Sequence, residues 1–266
     1  MYKYHYNITH ATTETPSSAN FYLHCHDAYE ILLFESGDSK FVIEDKAYTL
    51  APGDIIIARK HEMHRIYHNS PARYQRFVLM VAPEFFQVHN CAEYEAQFLR
   101  SSADIDNKIS AELVRSSGLY DAFFRYKRFS EDFSQSYDSP VLIATIIEIL
   151  YLINNTTRFS TADYTNGPVK AIIQYLNNTY TEDITLDMLA EKFYISKYYL
   201  CRAFHKATGL TVHDYIRLKR LNLARELKAE GKSISEAAMM AGFTDYSSFY
   251  RAYLKEYGVS PRNDLT

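Results

Sequence analysis

Two sets of residues in this 266-residue chain have types and spacings that could do chemistry. The first is His24-x-His26-x-x-x-Glu30, joined further on by His64. On an extended strand, residues i and i+2 share a face, so His24 and His26 point the same way and Glu30 can join them from the next position of a barrel. Three imidazoles and a carboxylate suit a divalent transition metal. They can equally bond the hydroxyls or carboxylates of a small organic ligand, or satisfy one another as a structural cluster. The second set lies near the C-terminus: Lys197, Tyr198, Arg202 and Lys206 in one segment, Tyr246, Ser247, Tyr250 and Arg251 in another. Arginine can bond both acceptors of guanine in a major groove, so Arg202 and Arg251 are the candidate base readers. The tyrosines suit thymine methyls or phosphates. Lys197 and Lys206 suit phosphates, which supply affinity without sequence information.

The second set needs helices to present it, and the pattern supplies them twice. Ile184–Phe193 reads as a helix, followed by a short turn and a second helix from Lys197 to about Thr208. Ile234–Phe243, a turn at Thr244 and a helix from Asp245 to about Tyr257 repeat the arrangement. These are tandem helix-turn-helix patterns. In the first presumed reading helix, Leu200, Ala203, Phe204 and Ala207 fall at inward spacing, leaving Lys197, Tyr198, Cys201, Arg202, His205 and Lys206 outside. In the second, Phe249, Ala252, Tyr253 and Tyr257 face in, while Tyr246, Ser247, Tyr250, Arg251 and Leu254 face out. A long helix from Thr211 to about Glu230 would hold the two readers at a fixed separation, as one DNA turn of roughly 34 Å requires. Ser233 with Glu236, and Thr211 with Asp214, read as capping boxes. Gly209 and Gly231 suit helix exits, and Gly242 a tight turn.

The histidine set needs a different scaffold. Residues 21–82 read as short strands separated by turns, including Ile31–Phe34, Lys40–Glu44, Tyr48–Leu50, Ile55–Ala58 and Arg76–Val81, which points to a small barrel or sandwich. From Pro83 the pattern turns helical, with helices expected over Asp121–Phe133 and Pro140–Asn154. The latter is apolar around most of its circumference, so it must be covered on more than one side, by the barrel and by a second subunit or by this chain alone. Residues 155–167 are polar and aperiodic and read as a linker, after which Pro168 starts a helix through about Tyr180.

Charge divides the chain in the same place. Residues 168–266 carry 14 Lys and Arg against 11 Asp and Glu, whereas residues 1–167 carry 15 against 21. The C-terminal part can therefore face phosphates and the N-terminal part cannot do so through net charge. Cys25, Cys91 and Cys201 are too few and too scattered for a disulfide framework. No apolar run reaches the ~18 residues of a membrane span, and the N-terminus lacks a signal-peptide core, so a cytoplasmic protein without membrane association is expected.

Residues 168–266 resemble the AraC/XylS transcription regulators. The resemblance rests on Leu189-Ala190, Ser196, Tyr199-Leu200-x-Arg202-x-Phe204, Arg220-Leu221, Ala237-Ala238, Gly242-Phe243, Ser248-Phe249-x-Arg251, Lys255-x-x-Gly258 and Ser260-Pro261. Tyr253-Leu254 departs from the family's usual Phe-Lys, and the segment after Pro261 lacks its aromatic-Arg ending, which implies weaker backbone contacts by the second motif. The stretch from His24 to Gly37 is similar to the first cupin motif, and His64, eleven residues after Gly53, stands where a further ligand would fall. The second cupin motif is degraded, since Arg59–Met63 has no Pro-x-Gly before the histidine.

The expected architecture is α+β and multidomain: a cupin-like β-barrel over 1–82, a helical extension and dimerisation region over 83–154, a linker over 155–167, and an all-α DNA-binding domain over 168–266. The resemblance implies a transcription regulator and not an enzyme, an activator in the commoner case, with an operator duplex, a small-molecule effector, RNA polymerase and a second copy of the chain as partners. His24, His26, Glu30 and His64 are the expected effector-binding residues, a sugar or sugar derivative the expected effector, and no metal, cofactor or catalytic residue is expected. The alternative is a metal-dependent cupin enzyme fused to a DNA-binding module.

Overall fold

The run Ile31-Leu32-Leu33-Phe34 fails to alternate in polarity because both of its faces are covered. It lies in β2 (Tyr29–Ser36) of a computed structural model that describes residues 5–18, 21–44, 46–99, 106–132, 139–157, 168–208 and 210–264. One sheet has the order β1-β7-β2-β5-β8, with β1 Tyr6–Thr13, β5 Ile55–Ala58, β7 Tyr74–Val81 and β8 Lys108–Ile109. A second has the order β4-β3-β6, with β3 Ser39–Ile43, β4 Lys46–Thr49 and β6 His64–His68. All the paired strands are antiparallel. Leu32, Phe34, Ile56 and Ala58 face the second sheet and pack with Phe41, Ile43 and Ile66. Ile31, Leu33, Ile55, Ile57, Phe77 and Leu79 face the other way, against helices. Each such buried side chain contributes about 1.5–3 kcal/mol relative to exposure.

Those helices are α1 (Pro83–Val88), α2 (Ala92–Leu99), α3 (Ala111–Ser116), α4 (Leu119–Asp132) and α5 (Pro140–Thr157). Helix α5 buries Leu142, Ile146, Ile149, Leu150 and Ile153 in the same core as the sheet, and Val141, Ile143, Ile147 and Leu152 are partly covered. Most of its apolar circumference is thus explained within one chain. Phe133, the last position of the expected preceding helix, lies outside the described residues, as does Gly209.

Several expected boundaries move. Strands β1 and β6 are absent from the sequence reading: β1 is largely polar beyond Ile8, and β6 reads as a charged loop. β1 is nevertheless fixed by eight consecutive partners on β7. Strand β8 adds to β5 from beyond residue 82, so the sheet does not end there. Helix α5 continues to Thr157, three residues into the expected linker, and 158–167 lie outside the described residues.

The C-terminal part comprises α6 (Pro168–Thr179), α7 (Leu186–Lys192), α8 (Lys197–Thr208), α9 (Val212–Ala229), α10 (Ile234–Met240), α11 (Tyr246–Tyr257) and α12 (Pro261–Asp264). One core joins α6 to α9 through Ile172, Leu176, Leu189, Leu200, Phe204 and Tyr215. A second joins α9 to α10 and α11 through Leu221, Ala224, Ala238, Phe249 and Tyr253. The first core also takes in Cys25 and Met63, so the barrel packs directly on the first motif. Ser233 and Glu236 form the expected reciprocal capping box. Thr211 accepts from the Asp214 N–H, but the Asp214 carboxylate takes the Thr211 hydroxyl proton instead of reaching the cap's backbone N–H, so this is a simple N-cap. Such a cap contributes about 1 kcal/mol.

Candidate DNA-reading surface and effector site

Helices α8 and α11 carry the basic set on one face because their apolar residues claim the other. In α8, Leu200 and Phe204 are buried while Lys197, Tyr198, Arg202 and Lys206 are exposed, Tyr198 at 74 %. In α11, Phe249 and Tyr253 are buried while Ser247, Tyr250 and Arg251 are exposed. Tyr246 departs from expectation. It is half-buried, its ring 5.8 Å from Phe249 and 6.3 Å from Tyr250, so it helps build the second core. Lys197 is not idle either: its Nζ lies 2.8 Å from Asp187 on α7, which raises its pKa.

Helix α9 fixes both readers. Its 18 residues span about 27 Å, comparable with the pitch of duplex DNA. The Arg220 guanidinium donates to Tyr180 O at 2.7 Å and Glu182 O at 2.6 Å, tying the α6–α7 loop to α9. Gly242 closes the other side. It has φ +92°, and a Cβ there would meet Thr181 O at 2.5 Å, so glycine is required by conformation and by contact alike.

The histidine set assembles, but not on the expected strand. His24 belongs to an isolated bridge with His64: His24 N–H donates to His64 O at 3.1 Å and His64 N–H to His24 O at 2.8 Å. His26 follows in irregular chain, Glu30 stands on β2 and His64 opens β6. One ligand atom from each of the four lies within 4.8 Å of all the others. Glu30 Oε2 is 3.0 Å from His26 Nε2 and 3.3 Å from His64 Nε2. Burial opposes the charge on Glu30, but the imidazoles of His26 and His64 hold its carboxyl well below the usual range. Burial likewise opposes protonation of His26, and the Glu30 carboxylate outweighs it and raises that pKa. His24 is lowered to about 4 by burial and by its neighbour His64. Arg59 is buried beside Glu62.

A polar stripe on α9, invisible in the motif reading, binds the barrel. Tyr215, Lys219, Asn222 and Glu226 share one side of the helix. The Tyr215 hydroxyl lies 2.9 and 3.1 Å from the two Glu44 carboxyl oxygens and 2.8 Å from Asn177 Oδ1. Lys219 Nζ donates to His61 O, and Asn222 Nδ2 lies 3.9 Å from Cys25 Sγ. Glu226 accepts from the Asp27 N–H at 3.1 Å. Burial raises the Glu44 and Glu226 carboxyls to about 7. Because α9 also carries Asp214, Arg217, Arg220, Arg225 and Lys228, its sequence gives no signal that singles this face out. Beside the stripe a cavity of about 330 Å³ is lined by His24, Cys25, Tyr22, Asn222, Glu226 and Tyr257, among others.

Comparison with known proteins agrees with both halves. Residues 11–125 match the AraC-like ligand binding domain and residues 189–265 match the helix-turn-helix domain. The HTH-type transcriptional activator RhaS of Salmonella schwarzengrund is 25 % identical over 255 residues, covering 90 % of this chain and 86 % of RhaS. The crystal structure of an apo ToxT variant from Vibrio cholerae shares the fold with TM-score 0.51 at 14 % identity, over 98 % of this chain and 97 % of ToxT. A ligand-binding domain joined to paired DNA-reading motifs, matched nearly end to end by such a relative, places this chain in the AraC family of transcription regulators.

Proposed function

We propose that this chain is a one-component transcription activator whose output is set by a sugar or sugar derivative held among His24, His26, Glu30 and His64. The observation that carries the proposal is position. His24 lines a cavity whose other walls include Asn222 and Glu226 of α9, the helix that spaces the two DNA readers. A ligand seated there touches barrel and DNA-binding domain together. It shifts regulation only by binding the two arrangements unequally, and each 1.4 kcal/mol of difference is about tenfold.

On DNA, Arg202 and Arg251 read bases, Tyr198, Tyr250 and Ser247 support them, and Lys197 and Lys206 hold phosphates. The half-buried Tyr246 contributes less than the exposed side chains beside it. Activation is supported by the name of RhaS, and RNA polymerase is the partner that an activator would address. Pairing of two chains through the helical extension, residence in the cytoplasm and the absence of catalysis complete the reading. Among the described residues no helix is long and apolar enough to cross a membrane.

The test is a thermal-shift screen of the full chain against sugars and organic acids, followed by operator affinity with each hit. A hit that changes operator affinity at least about fivefold, and is lost in Glu30→Gln, is expected. Hits that all leave DNA affinity unchanged, or that bind Glu30→Gln equally well, refute the proposal.

A further inference from the structure

The two helix-turn-helix motifs turn their corners with the same backbone and different residues. After α7 the Tyr194 N–H donates to Glu191 O at 3.2 Å and the Ile195 N–H to Ala190 O at 3.0 Å. After α10 the Gly242 N–H donates to Met239 O at 3.0 Å and the Phe243 N–H to Ala238 O at 3.1 Å. Each pair of bonds ends a helix with its first residue beyond the cap in the left-handed region, where glycine is the usual occupant. Gly242 has φ +92° and Tyr194 has φ +53°. A tyrosine there carries a steric cost that glycine does not. Two other non-glycine residues with positive φ are held by buried contacts: Glu44 accepts from the Met63 N–H, and His61 O accepts from Lys219. Tyr194 has no such compensation. It is 95 % exposed, and among the described residues no hydrogen bond, ion pair or ring contact involves its side chain. Ile195 and Phe243, which follow, pack on the two cores, so the fold fixes this turn without the ring.

We infer that Tyr194 is a further DNA contact, its hydroxyl donating to a phosphate oxygen at the edge of the groove that α8 enters. Ser196 caps α8 by accepting from the Tyr199 N–H at 3.2 Å, so Tyr194 stands just ahead of the N-terminal end of that helix. A reading helix enters the major groove by its N-terminal residues, which brings the chain leading into that end close to the sugar-phosphate backbone. Lys197 and the 74 % exposed Tyr198 follow at once, so the ring extends a surface already turned outward. Tyrosine hydroxyls are among the donors that fix register on phosphates without reading sequence. The strain at Tyr194 is then offset by a contact made only on DNA. The second motif has no counterpart, since a side chain at Gly242 would collide with Thr181. The inference rests on the reading of α8 as the first DNA-reading helix.

The experiment measures full-chain binding to a mixed-sequence duplex over a range of salt concentrations, together with thermal unfolding. Tyr194→Gly should raise Tm by about 2–4 °C by relieving the turn, yet weaken duplex binding about three- to tenfold, the range of one hydrogen bond. Tyr194→Phe should leave Tm unchanged and weaken binding by a similar factor. A hydroxyl displaces no counterion, so neither change should alter the slope of log affinity against log salt, whereas Lys206→Ala should reduce that slope by about 1. Duplex binding by Tyr194→Gly equal to that of the unmodified chain overturns the contact. So does a lowered Tm, which would make the ring part of the fold. Affinity lost in Tyr194→Gly but kept in Tyr194→Phe overturns the hydroxyl bond to phosphate. Unchanged duplex binding with weakened binding to purified RNA polymerase also overturns the proposal and assigns the ring to a protein partner. Arg202→Ala, measured on a duplex selected from a random library, separates this inference from the reading of α8. A loss there with none in Tyr194→Gly removes Tyr194 alone, and no loss in either removes both.

Discussion

The contact between Tyr215 on α9 and Glu44 of the barrel should behave as a coupled pair, and a double-mutant cycle measures it. Tyr215 is fully buried and Glu44 is 7 % exposed, so water cannot replace a lost partner. Tyr215→Phe removes one buried hydrogen bond and leaves acceptors at Glu44 and Asn177 without that donor. A buried bond is worth about 1 kcal/mol net and a stranded polar group costs about 1–3 kcal/mol, so the single change should destabilise by about 2–3 kcal/mol. The hydroxyl has one proton for three nearby oxygens, so either a protonated Glu44 or a turned Asn177 amide completes the network. In a Glu44→Ala background the same change should cost only about 1 kcal/mol, leaving a coupling energy of about 1–2 kcal/mol. Urea unfolding at pH 6 supplies the four free energies. A coupling energy below about 0.5 kcal/mol would refute the claim that this pair joins the two domains.

Two further outcomes are expected. Arg202→Ala should weaken specific DNA binding by about 1–3 kcal/mol and relax preference at one base pair, as read by binding to single-position operator variants; an unchanged preference removes Arg202 from base reading. The barrel contact should also be pH-dependent. Burial first, and then the negative charge of Glu62, raise Glu44 to about 7 from 4.5. A carboxyl raised on folding contributes stability that is complete below about 4.5 and is lost as pH rises through 7. The wild-type chain should therefore lose on the order of 3 kcal/mol relative to Glu44→Gln between pH 4 and 8 in urea unfolding. A difference that stays flat over that range contradicts the assignment.

The DNA-binding half was legible because its information is local. Helical spacing alone separates Leu200 and Phe204 from Arg202 and Lys206, and the glycine at 242 marks a turn that both φ and the contact with Thr181 demand. The barrel was less legible because its pairings are distant. Strand β1 carries few apolar residues and owes its place to β7, some seventy residues away in sequence. The histidine cluster was found from spacing, yet its positioning was misread: a bridge between His24 and His64, not a strand, aligns the rings. The α9 stripe escaped notice because Lys219 and Glu226 look like solvated helix charges until the barrel is set against them. Tyr246 was assigned outward by periodicity alone, and its contact with Phe249 shows that one aromatic can serve the core from the boundary of two faces.

The account depends most on two reading helices held in register along one duplex. Selection of bound sequences from a random double-stranded library, followed by footprinting of the full chain, tests this directly. The prediction is two protected major-groove segments about one helical turn apart on the same face, the first weakened by Arg202→Ala and the second by Arg251→Ala. Recovery of no preferred sequence, or of a single protected segment affected equally by both changes, would contradict it.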